Sequence, residues 1–241
     1  KSRTASKHEK CDDLRSLGHE CMLVAPEYPG DTETPDDPEI LRIPSWQVPF
    51  DPEDRLLSWS GLKKWTASLA PGAFDIIHVQ TPFTAHYAGL RIGSKVGAPV
   101  IETYHTYFEH YLHHYVPFLP SALTKAAARK LTVSQCEAVG AVISPSDQMA
   151  NALRAYGVRA PINILPTGLP ESAFVQGERA RFRAKYGIAE TRPTALYVGR
   201  VAHEKNIDFL IRMLVDLRRR VPDILLVIAG EGPAEGHIKN L

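Results

Sequence analysis

Short apolar runs alternate with longer amphipathic stretches along most of the chain. The runs "CMLVAP", "DIIHVQT", "APVIETYHT", "AVGAVISPS", "INILPTG", "TALYVGR" and "DILLVIAGEG" predict strands. Helices are predicted for the polar opening stretch, for "EDRLLSWSGLKKWTASLAPG", "TAHYAGLRIGSKVG" and "SDQMANALRAYGV", and for "ERARFRAKYGI" and "EKNIDFLIRMLVDLRRRV". Near-continuous apolar strands separated by amphipathic helices are the signature of parallel sheets covered on both faces. Such α/β sheets present ligands to the loops at the carboxyl ends of their strands. Two segments break the rhythm. "EYPGDTETPDDPE" is acidic and proline-rich and predicts a solvated loop. "ILPTGLPESAFVQGE" ends a strand and then loses periodicity, as a crossover between domains does. The boundary is placed near Gly168, giving domains 1–168 and 169–241. The second has only about two strand–helix pairs, few for a core of its own.

Composition narrows the class. The chain has 241 residues, 44% hydrophobic and 23% charged, the balance of a soluble globular protein. A formal net charge of +1 gives no bulk attraction for nucleic acid, so any anion must be bound locally. The three arginines of "DLRRRVPD" suit the end of a helix, where positive charge meets the macrodipole. Cys11, Cys21 and Cys136 form no zinc-ligand spacing, and their odd number suits a reducing compartment. No apolar run is long enough to cross a bilayer. The start, "KSRTASKHEKCDDLRSLGHE", has neither the apolar core of a signal peptide nor an initiating methionine, and the sequence is expected to be cut at both ends.

Candidate chemistry lies at two strand ends. In "LYVGRVAHEKNIDFLI" a strand ends at Val198, Gly199 permits a tight turn, and Arg200 and Lys205 flank the start of a helix. A guanidinium fork, a mobile ammonium and a helix amino-terminus together can hold a diphosphate and stabilise charge developing on it. The residues alone leave open a pair of surface charges beside a strand end. There is no G-x-G-x-x-G, which counts against a dinucleotide oxidoreductase.

The second place is "IETYHTYFEHYLHHYVP". His105 falls just past an apolar strand, where it could hydrogen-bond a sugar hydroxyl or serve as a capped structural group. His110, His113 and His114 have helical spacing, but no cysteine or aspartate accompanies them, and a metal site comes last among the readings. Tyr104, Tyr107, Phe108, Tyr111 and Tyr115 bring apolar bodies, the tyrosines with polar tips, which suits the edge of a greasy pocket. Downstream, Lys125, Arg129 and Lys130 with Phe118, Leu119 and Leu123 make either an edge that rests on anionic lipid or an ordinary amphipathic core helix. Trp46, Trp59 and Trp65 read as core or loop anchors rather than carbohydrate platforms.

These stretches resemble a known family. "ALYVGRVAHEKNIDFLI" is similar to the G-R-x-x-x-E-K-N segment that opens the second domain of family-four retaining glycosyltransferases of the GT-B fold. In the same order, "SLGHECMLVAPEYPG", "IIHVQTPF", "VIETYHT", "VISPSDQMANALRAYGV" and "INILPTGL" resemble the family's first-domain segments. The aromatic–histidine segment resembles that of diacylglycerol glucosyltransferases.

The resemblance implies two Rossmann-like doubly wound domains, the first acceptor-side and lacking its first strand, the second nucleotide-sugar-binding and incomplete. It implies transfer, with retention, of a sugar from a UDP- or GDP-linked donor to an acceptor hydroxyl, with no divalent metal and no other cofactor. Arg200 and Lys205 would bind the diphosphate and assist its departure. Gly199, Glu231 and Gly232 would complete the donor side, the last two in "AGEGP", which a plain strand-ending turn also explains. Tyr104, His105, Thr106, Tyr107 and Tyr111 would form the acceptor side, with His105 near the transferred sugar. The expected acceptor is a membrane lipid such as diacylglycerol. The expected place is cytoplasmic, peripheral on an anionic membrane face, with no nucleic-acid partner. Two rival readings stay open: a non-catalytic GT-B remnant that binds lipid or protein, and a nucleotide-sugar epimerase.

Overall fold

The computed structural model describes residues 5–28, 40–48, 51–105, 121–169, 174 and 177–241. The chain divides into two compact units, Lys1–Pro170 and Glu171–Leu241.

Unit 1 is built on a four-stranded parallel sheet. Its strands are β5 (Ile77–Val79), β6 (Val100–Thr103), β7 (Ala141–Ser144) and β8 (Ile162–Ile164), paired in that order. In register, Val79 lies beside Glu102, Thr103 beside Ile143, and Ser144 beside Ile164. The connections are helices, as parallel pairing requires: α3 (Thr84–Val96), α4 (Ser121–Glu137) and α5 (Asp147–Tyr156). Val79, Val100, Val142, Cys136 and Leu153 form the core of this layer, with Tyr104 among them. Gly89 and Gly93 let α3 lie close on the sheet, since a Cβ at these positions would overlap Val79 and Val100. Ser146 starts α5 by accepting a hydrogen bond from Met149 N at 3.3 Å.

The amino-terminal part of the unit carries α1 (Ala5–Ser16), the parallel pair β1 (Leu23–Pro26) and β2 (Ile40–Ile43), the hairpin β3 (Ser45–Val48) and β4 (Asp51–Leu57), and α2 (Trp59–Ser68). Here the pattern misleads. The helix expected from Glu53 onward is an antiparallel strand as far as Leu57, and the helix begins only after Ser58, whose hydroxyl accepts from Gly61 N. Leu56 and Leu57 fit either period, and pairing with β3 decides between them. The acidic loop lies largely outside the described residues, whereas the thiols of Cys11 and Cys21, whose spacing suggests no relation, lie 2.8 Å apart.

Unit 2 holds α6 (Arg179–Lys185), β9 (Thr194–Val198), α7 (Ile207–Leu217), β10 (Leu225–Ala229) and α8 (Glu235–Lys239). The two strands pair in parallel, with Ala229 beside Val198. Val201, Ile207 and Ala234 are its buried centre, supported by Tyr197, Ile211, Ile228 and Ile238. Arg183 is buried at the base, donating to the carbonyls of Ala189 and Arg192 and to Thr194 Oγ1.

Candidate functional site

In unit 2 the carboxyl ends of β9 and β10 are adjacent because the strands are parallel and in register. The loops that leave them are joined backbone to backbone. Gly199 N donates to Ala229 O at 3.0 Å, Val201 N to Glu231 O at 2.8 Å, and Ala234 N to Val201 O at 3.0 Å. The approach is so close that a Cβ at Gly230 would overlap Gly199 O, and one at Gly232 would overlap Val201 O. Glycine is therefore a steric requirement at both positions.

The residues expected from the sequence to bind a donor lie on or beside this frame. Arg200 is half-buried, and its carbonyl accepts from Tyr197 Oη at 3.0 Å. Lys205 closes a single 3₁₀ turn, His203–Lys205, and is exposed. Asn206 takes a left-handed conformation, with φ of 50°, to turn the chain into α7. Glu231 is exposed and Gly232 half-buried. A brace that sequence reading missed holds the helices that follow. His237 on α8 donates from Nε2 to Asp208 Oδ2, at 2.8 Å, in the first turn of α7. That bond holds the Asp208 carboxyl below its usual range. The His203 ring lies 5.7 Å from the His237 ring.

In unit 1 the corresponding strand ends carry side chains rather than a backbone frame. His105 follows β6 and is exposed. Its Nε2 donates to Gln80 Oε1 at 2.9 Å, because an amide oxygen can only accept. Gln80, just past β5, places its nitrogen 3.0 Å from His78 Nε2, which lies 2.6 Å from Thr103 Oγ1. Gln80 thus bridges two imidazoles at neighbouring strand ends. Its position in "DIIHVQT" obeys the rule that singles out His105, so it was within reach of sequence reading.

Tyr104 requires a correction. It was expected to face the acceptor, yet it is 4% exposed and its hydroxyl lies 2.9 Å from Thr132 Oγ1 in the core. A residue beside His105 on extended backbone points to the opposite side, which here is inward. Thr106, Tyr107 and Tyr111, with Phe108, His110, His113, His114 and Tyr115, lie outside the described residues. Among the described residues no cluster of three or more His, Cys, Asp or Glu side chains is arranged to hold a metal.

Glu102 on β6 and His86 on α3 form a pair hidden from solvent, with Oε2 and Nδ1 2.8 Å apart and side chains 3% and 1% exposed. Nearby, burial first and then the charges of Glu102 and Glu137 push the Cys136 thiol up to about 12. A groove of about 720 Å³ runs between α3 and α4 and is walled by Leu56, Trp59, Phe83, Tyr87 and Leu131. Trp59 is thus a groove wall rather than a core anchor, and Trp46 is 69% exposed. Trp65, on α2, does pack against the buried cluster of Ile43, Leu62 and Ala88. On α4, the Arg129 guanidinium lies over the Tyr156 ring, 5.2 Å from its centroid.

Comparison with known proteins follows the same division. Residues 8–172 match the family model for Glycosyltransferase Family 4, and residues 178–241 match that for Glycosyl transferases group 1. The chain belongs to the family 4 glycosyltransferases. The alpha-monoglucosyldiacylglycerol synthase of Streptococcus pneumoniae is 30% identical over 234 residues, 95% of this chain and 52% of the relative. The enzyme of the same name from Acholeplasma laidlawii is 25% identical, over 95% of this chain and 60% of the relative. This family 4 chain therefore spans little more than half the length of the relatives it matches.

Among solved structures, sucrose-phosphate synthase of Thermosynechococcus elongatus superposes with a TM-score of 0.67 at 18% identity, covering 95% of this chain and 56% of the other. The Anabaena protein HepE, solved with UDP and glucose, superposes at 0.61 and 14% identity, covering 83% of this chain and 50% of the other. The fold is GT-B, as the resemblance implied. Among the described residues no helix is long and apolar enough to cross a membrane.

Proposed function

We propose that this chain is the part of a retaining glycosyltransferase that holds a nucleoside diphosphate sugar on the loops of unit 2 and a lipid hydroxyl at the strand ends of unit 1. One observation carries the reading: the backbone-joined loops 199–202 and 229–234, with Arg200 and the Lys205 turn standing on them. The guanidinium would take two diphosphate oxygens, and the ammonium would follow the charge as the bond to the sugar breaks. Neither role needs a metal, and the leaving diphosphate would help remove the acceptor proton. UDP and GDP both suit this chemistry, and the HepE complex favours testing UDP first.

On the acceptor side, His105 stands exposed past β6 with Nε2 bonded to Gln80, where it would lie near the transferred sugar. Names of relatives support a lipid acceptor, since two are glucosyldiacylglycerol synthases. Charge supports it as well. Lys63 and Lys64 on α2, Arg91 and Lys95 on α3, and Lys125, Arg129 and Lys130 on α4 face one acidic residue in these helices, Glu137 at the far end of α4. This unit would rest on an anionic membrane face from the cytoplasmic side.

The test is calorimetric titration of the chain with UDP and GDP, followed by sugar transfer to diacylglycerol in a chain extended to the relatives' length. Lys205→Ala is expected to weaken diphosphate binding about 10- to 100-fold, the worth of one charge-assisted hydrogen bond. Unchanged binding would remove the lysine from the site.

A further inference from the structure

The groove between α3 and α4 contains a polar feature that its apolar walls do not explain. Gln135 on α4 lines it and is 4% exposed. Its Nε2 donates to Pro82 O, which fixes the amide orientation. Its Oε1 is buried with no hydrogen-bond partner among the described residues. Native proteins rarely leave a buried acceptor unmet, and such an atom in a groove wall marks where a ligand's N–H or O–H belongs. The surrounding surface is greasy and open: Phe83 is 54% exposed, Tyr87 49% and Leu131 46%. Arg91 stands among the wall residues, and Phe83, at the start of α3, offers that helix no side-chain cap. The volume falls within the roughly 300–1,000 Å³ of small-molecule sites.

We propose that this groove seats one acyl chain of an acylglycerol whose free hydroxyl donates to Gln135 Oε1, an assignment that rests on the lipid-acceptor reading for its choice of ligand class. The apolar walls take the chain, and the acceptor atom demands an O–H. A fatty-acid anion would bring a carboxylate against an acceptor and lacks the proton the site requires. Arg91 lines the groove, and Lys95, Lys125, Arg129 and Lys130 lie on the same two helices, charges that suit an anionic bilayer, where such lipids are found. Pro82 and Phe83, which line the groove, follow Gln80 within three residues of the sequence.

The experiment is isothermal titration of the chain with dioctanoylglycerol, with octanoate as the comparison. Gln135→Leu is expected to raise Kd about five- to tenfold, the loss of one neutral hydrogen bond. Leu131→Glu, at an exposed position that leaves the core intact, is expected to raise it at least as much. Octanoate is expected to bind far more weakly than dioctanoylglycerol. Wild-type affinity in both variants, or equal affinity for octanoate, overturns the proposal. If dioctanoylglycerol binds as expected while neither UDP nor GDP binds, the groove stands and the sugar-transfer reading falls. If nucleotide binds and dioctanoylglycerol does not, the groove falls alone.

Discussion

Unit 1 and unit 2 solve the same problem, presenting polar groups at the ends of parallel strands, by different means. In unit 2 main-chain amides and carbonyls join the two loops, and glycines at 230 and 232 make room for the contact. In unit 1 the strand ends are joined by side chains: Thr103, His78, Gln80 and His105 across the surface, and His86 with Glu102 below. A backbone frame holds its shape while the side chains on it change. A side-chain network can be redrawn by one substitution.

The largest effect should come from the hidden pair of unit 1. His86→Ala would leave Glu102 buried without its partner, and breaking such a pair costs about 3–5 kcal/mol. Urea denaturation followed by circular dichroism should show that loss, and a loss under 1 kcal/mol would mean that water takes the histidine's place.

Next comes the frame of unit 2. Gly230→Ala forces Gly199 O aside, and overpacking of this kind costs about 1–3 kcal/mol. UDP binding should fall with it. Retention of full affinity would show that the loops can part without harm.

Gln80→Leu should barely change stability, within about 0.5 kcal/mol, because the side chain is only part-buried. It should release the His105 tautomer, so that ¹⁵N chemical shifts move from an Nε2–H ring toward a mixture. Unmoved shifts would mean that another group sets the tautomer.

The smallest effect concerns acid. Glu137 Oε1 accepts from the backbone N–H groups of Arg159 and Ala160, which hold its carboxyl below the ordinary 4.5. A folded-state value below the unfolded one gives stability that is present above the unfolded value and is lost as pH falls through the folded one. Wild type should therefore lose stability faster than Glu137→Gln below pH 4.5, and the two curves should converge in acid. Parallel curves would show that the carboxylate contributes nothing there.

The contrast between the units also explains what the sequence disclosed. The strand ends of unit 2 were readable because glycines, an arginine and a lysine at fixed spacing leave a mark in the linear order. The parallel strands of unit 1 were equally plain from their apolar runs. Gln80 stands where the strand-end rule points but was not singled out, and Gln135 carries no such signal, because a glutamine's meaning depends on what the fold places opposite it. Gln80 meets His105 from 25 positions away, and Gln135 meets Pro82 from 53. Tyr104 misled for a related reason: one step along an extended chain separates a surface imidazole from a buried phenol. Leu56 and Leu57 misled because pairing with β3, a tertiary event, overrode a periodicity compatible with helix.

The carbonyl-to-amide stitching of loops 199–202 and 229–234 has a consequence for descent. Its members are atoms every residue owns, so inherited change at Arg200, Lys205 or Glu231 would leave the stitching standing. A lineage could change the side chains carried there one residue at a time, without first rebuilding the frame beneath them.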